Sequence, residues 1–226
     1  MPTHAVARDR RSALYLADWG LFLAMLRLEL SRLVHDARRL GLQPAVRLNG
    51  TSDIPWEYVA PKLFSEFTEI QFFDYTKVVS RMSRFLGIPD GRTLWPQNYH
   101  LTFSASAANR EESRRILTAG GNLAVVFWPQ LPDCFWERPV VDGDRHDARF
   151  LDEPGVVVGL LAKGLARSDS SGFTVNVSPG CGPGQSETML RSIGKKTQRE
   201  KRLAGPRCVT TAHDKRVHYS DPATAV

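Results

Sequence analysis

Apolar residues follow two rhythms along this chain. From residue 13 to 40, Phe22, Met25, Leu26, Leu30, Leu33, Val34 and Ala37 recur at helical spacing. Gly41 follows Arg38 and Arg39, which predicts a glycine C-cap after basic residues suited to a helix C-terminus. Downstream come short apolar runs that each end in polar residues: 44–53, 70–77, 99–104, 123–128, 139–147 and 156–164. At least four of these predict short buried strands.

Helical stripes fall between the runs. Segment 56–67 predicts a helix, with Pro55 in its first turn and Asp53 or Ile54 near the cap. Segment 76–86 carries Val78, Val79, Met82 and Phe85 on one stripe. Ser106 or Asn109 caps a helix running through Leu117, and Gly120 and Gly121 end it. The strand–helix–strand repeat, about 25 residues long, predicts βα units and a mostly parallel α/β sheet, open or closed into part of a barrel. After Trp128 the rhythm fails: Pro129, Pro132 and Pro139 bracket a predicted loop holding Cys134, Phe135 and Trp136. Strands resume at 156–158 and 174–177. The expected organisation is a flexible segment over 1–12, an α/β domain over 13–177, and a Gly/Pro linker with a basic, disordered tail over 178–226.

Charge sharpens that division. Residues 1–189 carry 21 basic and 21 acidic side chains, whereas 190–226 carry nine basic and three acidic. The net charge of +6 therefore belongs to the last 37 residues, a pattern suited to phosphate or an acidic partner, or to a solubilising end. No apolar stretch approaches the roughly 18 residues needed to span a bilayer. Cys134, Cys181 and Cys208 are odd in number and lack CxxC spacing, which predicts free thiols and a cytoplasmic protein.

In parallel sheets, ligands bind beyond the carboxyl ends of the strands. The candidate site residues follow from that rule. Arg47 and Asn49 end the first strand, and the turn 50–53 (GTSD) offers N–H groups and hydroxyls to an anion, with Asp53 and Glu57 at the next helix. Asp74, Tyr75 and Lys77 place a carboxylate, a phenol and an ammonium together. Ser104 ends the third strand. Asp142, Asp144 and His146 (DGDRHD) offer ligands for a divalent cation, or form a solvated Asp-Gly turn. Lys163 follows a buried strand and enters the pocket or the solvent. His100, inside a strand, reads as a satisfied core histidine. No Walker lysine and no GxGxxG is present, so no nucleotide fingerprint is found.

The blocks 46–57 (VRLNGTSDIPWE), 73–77 (FDYTK), 99–104 (YHLTFS), 122–127 (NLAVVF), 141–152 (VDGDRHDARFLD), 157–164 (VVGLLAKG) and 169–173 (DSSGF), in this order, resemble the gene product 88 family over roughly residues 13–177. The resemblance implies a phage or mobile-element protein and no particular activity. Longer relatives carry a cysteine-bearing segment upstream of the first helix, so it also implies that this chain is a shortened form.

Three readings stand. In the first, an enzyme acts on a phosphorylated or nucleic-acid substrate, with Asp53, Glu57, Asp74, Lys77, Asp142 and Asp144 meeting at one mouth. There Asp74 or Glu57 is the base, Lys77 or Lys163 the anion clamp, and Asp142 and Asp144 a metal pair. The second is a nucleic-acid-binding accessory protein with no catalytic role. The third is an inactive fragment of a longer, cysteine-bearing enzyme.

Overall fold

The computed structural model describes residues 2–88 and 94–177. Two helices open the chain, α1 (Pro2–Ala17) and α2 (Trp19–Leu40). The first is helical from Pro2, where the polar composition suggested a frayed end. Asp18 separates the two and caps α2 by accepting a hydrogen bond from the Leu21 N–H at 2.9 Å. Gly41 ends α2 as its position predicts, with φ of 67° and with Leu42 N–H returning to Ala37 O.

Next come β1 (Ala45–Arg47), α3 (Trp56–Val59), α4 (Lys62–Glu66), β2 (Gln71–Thr76) and α5 (Val79–Leu86). Segment 56–67, read as one helix, is two short ones, because Pro61 starts a new helix rather than continuing the old. β3 (Tyr99–Ser104), α6 (Arg110–Thr118) and β4 (Leu123–Trp128) follow. The bracketed loop contains a hairpin, β5 (Cys134–Phe135) with β6 (Arg138–Asp142), whose turn holds Trp136 and Glu137 at positive φ. β7 (Val157–Leu161) and β8 (Thr174–Asn176) complete the described chain. The linker and basic tail expected over 178–226 lie outside the described residues, as do Cys181 and Cys208.

The eight strands form one sheet in the order β1-β2-β3-β4-β7-β6-β5, with β8 also paired to β4. Every pairing is parallel except that of β5 with β6. The sheet does not close into a barrel. β4 pairs with β7 along Leu123–Phe127, with β3 only at Leu123 and Ala124, and with β8 from Val126 to Trp128. β3 and β8 therefore share one edge of β4, one after the other.

One face of the sheet packs against helices. Phe72, Leu101, Phe103, Leu123, Val125 and Phe127 meet Leu30 and Val34 of α2, Trp56 of α3, Phe64 of α4, Met82 of α5 and Ile116 of α6 in a single core. Trp19 and Phe22 stack on Trp56, which seats α2 on that core. The other face is covered in part by a 3-10 turn, Arg149–Leu151, whose Phe150 packs on Phe73.

Candidate functional site

Side chains alternate across a strand, so neighbours such as Asp74 and Tyr75 serve opposite faces. Asp74 faces the helices and is fully buried. It accepts hydrogen bonds from Asn49 N–H (2.7 Å), Asn49 Nδ2 (3.0 Å) and the Tyr99 hydroxyl (2.7 Å). Burial pushes its pKa up to about 6, against the pull of those donors. Burial and the Asp74 charge together raise the Tyr99 phenol.

Asn49 organises the turn that follows β1. Its Oδ1 accepts from the Ser52 hydroxyl (2.8 Å), Ile54 N–H (3.1 Å) and Trp56 Nε1 (3.1 Å). Asp53 does not cap α3 but folds back on β2, accepting from the Thr76 hydroxyl and Lys77 N–H. Arg81 of α5, 2% exposed, joins these parts. It donates to Asp53, to both Glu57 oxygens (2.9 and 2.8 Å) and to Tyr99 (3.0 Å). Burial disfavours its charge, but the Glu57 hydrogen bonds and the surrounding charges outweigh that and raise its pKa.

Asn49, Asp53, Glu57 and Asp74 thus belong to one buried polar network on the helix-covered face. They do not share a mouth with Asp142 and Asp144. Asp142 leaves the sheet at the end of β6, where its carboxylate accepts from Asp144 N–H at 2.9 Å.

A cleft of about 670 Å³ opens on the other face, beyond the strand ends. Arg47, Tyr75, Ser104 and Lys163 line it as their strand-end positions predict, with Asp144, His146 and Asp147 of the DGDRHD run and the unanticipated Phe173. Ala124, Val126 and Leu160 give it an apolar floor. Two ion pairs frame the opening: Lys163 Nζ with Asp144 at 2.7 Å, and Arg47 Nη1 with Asp147 at 3.4 Å. Asp144 also accepts from Leu161 N–H, and its carboxyl is held below the usual range by Lys163 first and by that N–H second.

The loop carrying Asp144 crosses β7 closely. A Cβ on Gly143 would lie 2.5 Å from Val158 Cγ1, so glycine is needed there. Tyr75 donates to Asp147 at 3.3 Å, and burial pushes its phenol up to about 12. Arg47 lies over the Tyr75 ring at 4.6 Å.

Behind the cleft wall, Arg149 is buried and donates to the His146 carbonyl while facing its Nδ1 at 3.0 Å. His100 is half-buried near it, with its pKa driven down to about 4 by burial and then by the Arg149 charge. Its Nε2 has no hydrogen-bond partner among the described residues, so it is not the satisfied core histidine expected. Among the described residues, no group of three His, Cys, Asp or Glu side chains is placed to hold a metal ion. Asp147 was visible at the end of the DGDRHD run, and Phe173 as an aromatic just before a strand. Arg81 and Arg149 gave no signal, because an arginine in a helix or turn ordinarily reads as solvated.

Fold and site together define an α/β protein with an open, mostly parallel sheet and a charged cleft at the strand ends. The family profile described as Gene product 88 matches residues 1–177, and the chain belongs to that family. No curated protein matches it, and no solved structure does. Among the described residues, no helix is long and apolar enough to cross a membrane.

Proposed function

We propose that the strand-end cleft binds a phosphorylated ligand, with Arg47 as its principal anion contact. The hydrogen-bonding pattern of Arg47 carries this reading. Its Nε donates firmly to the Asn49 carbonyl at 3.0 Å, which fixes the guanidinium plane. Its two Nη groups make only long contacts, 3.4 Å to Asp147 and 3.5 Å to the Gly50 carbonyl. A fork anchored at one nitrogen with two loosely engaged donors suits a bidentate phosphate contact.

The pair with Asp147 does not prevent this, since exposed pairs of this kind are worth about 0–1 kcal/mol. Lys163 supplies a second cation, and Ser104 and Tyr75 supply neutral donors. The apolar floor accepts the uncharged part of the ligand.

Calorimetric titration with AMP, inorganic phosphate and adenosine tests the reading. AMP should bind and adenosine should not compete with it. Arg47→Ala should weaken AMP about 10- to 100-fold, the range for a charge-assisted hydrogen bond. Equal affinity for AMP and adenosine, or an Arg47→Ala variant that binds AMP as wild type does, would overturn it.

A further inference from the structure

Three aromatic side chains stand along the rim of the cleft, each with a cation beside it. Arg47 lies over Tyr75 at 4.6 Å, Lys77 over Phe173 at 5.4 Å and Arg167 over Trp128 at 5.0 Å. The described residues hold five such pairs, the other two being Arg110 and Arg114 over Trp136. Here three occupy one edge of one sheet.

Register explains how they come together. Tyr75 pairs with Thr102, so Lys77 falls level with Ser104, the last residue of β3. Phe173 precedes β8, whose Thr174 pairs with Val126. Trp128 shares a face with Val126 and Ala124, which line the cleft. The rings therefore follow one another from β2 across the β3–β8 junction to the end of β4.

Phe173 is 37% exposed. Its loop is nevertheless fixed: Asp169 accepts from Ser171 N–H and hydroxyl and from Thr174 N–H, and Ala107 N–H donates to the Gly172 carbonyl. Among the described residues, neither Lys77 nor Arg167 has a carboxylate partner, unlike Lys163 and Arg47. The rim thus has excess positive charge alternating with rings.

We infer that the rim takes a single-stranded nucleic acid, whose bases stack on Tyr75, Phe173 and Trp128 while its backbone follows Lys77 and Arg167. Rings interleaved with cations are the chemistry that binds unpaired bases without reading their sequence. A duplex hides its base faces and gains nothing from the rings. This inference extends the phosphate reading of the same cleft, from one phosphate to a short strand.

Fluorescence anisotropy with labelled dT2, dT4, dT8, rU8 and an eight-base-pair DNA duplex tests it on the full chain. dT8 should bind at least about 10-fold more tightly than dT2 and than the duplex. Phe173→Ala should weaken dT8 by about 5- to 100-fold, the range for one lost base–aromatic stack. Trp128→Leu should do the same, whereas Trp128→Phe should retain most of the affinity; melting curves confirm that each variant is folded.

Affinity independent of length, or dT8 binding indifferent to both ring substitutions, overturns the rim. rU8 bound as tightly as dT8 assigns the rim to either nucleic acid, and a preference for one names the sugar it reads. The two proposals separate cleanly. AMP binding lost in Arg47→Ala with dT8 binding intact in both Phe173→Ala and Trp128→Leu sinks only the strand. dT8 binding lost in Phe173→Ala, with AMP and adenosine bound alike, sinks only the phosphate.

Discussion

Replacing Arg81 with leucine removes the centre of the buried network and leaves its acceptors in place. Glu57 loses two hydrogen bonds of 2.9 and 2.8 Å while its side chain is only 5% exposed. The Tyr99 hydroxyl and Asp53 each lose one donor. Breaking a buried pair by removing one partner costs about 3–5 kcal/mol, because a charge stays buried without compensation. Arg84 still stands 3.4 Å from Glu57 on an exposed side chain, which draws the expectation toward the lower end. For a protein of this size, that loss lowers Tm by roughly 6–20 °C.

Thermal and urea unfolding, followed by circular dichroism, measure the effect. Arg81→Lys should recover little, since one ammonium cannot meet three acceptors in a fixed fork. Arg81→Leu combined with Glu57→Leu should recover part of the loss, because no charge is then stranded. Below its lowered Tm, Arg81→Leu should bind AMP like wild type, since the network faces away from the cleft. A loss below about 1 kcal/mol, or a folded variant that no longer binds AMP, would refute the structural role assigned to Asp53 and Glu57.

Asp74 makes stability depend on pH. Its folded pKa of about 6 exceeds its ordinary 3.8, so its contribution is full at low pH and is lost as pH rises through about 6. Urea unfolding at pH 4.5 and 7.5 should show a steeper decline with pH in wild type than in Asp74→Asn; equal slopes would remove Asp74 as the cause. Gly143→Ala should lower stability by about 1–3 kcal/mol, since its Cβ would meet Val158, Leu160 and the Gly159 carbonyl at 3.0 Å or less. An unchanged melting curve would mean that the crossing over β7 is not tight. Lys163→Ala should cost less than about 1 kcal/mol, because Lys163 is largely exposed, yet should raise the Asp144 pKa in an NMR titration. No movement would show that the pair is not formed in solution.

Periodicity alone determined most of the elements. The helical stripe and Gly41 gave α2, and the apolar runs at 70–77, 99–104, 123–128 and 156–164 each contain a parallel strand. Their polar ends located the cleft, and Arg47, Tyr75, Ser104 and Lys163 reach it. Local signals were weaker for the β5–β6 hairpin, where prolines masked a two-residue strand, and for α1, whose polar sequence hid its helix.

Tertiary structure decided which polar residues face the cleft. Phe72 and Phe73 are both buried, as in any parallel strand packed on two sides, so β2 shows no alternation of apolar and polar positions. Nothing in FDYTK tells which of Asp74 and Tyr75 turns toward helices and which toward solvent. Asp53 lies outside the strand ladder, where alternation says nothing, and its place depends on Thr76, Lys77 and Arg81 approaching from elsewhere in the chain. Short-range pattern fixes where a strand ends; the side its last residues serve depends on which face the helices cover, and that is set only when the whole sheet is assembled.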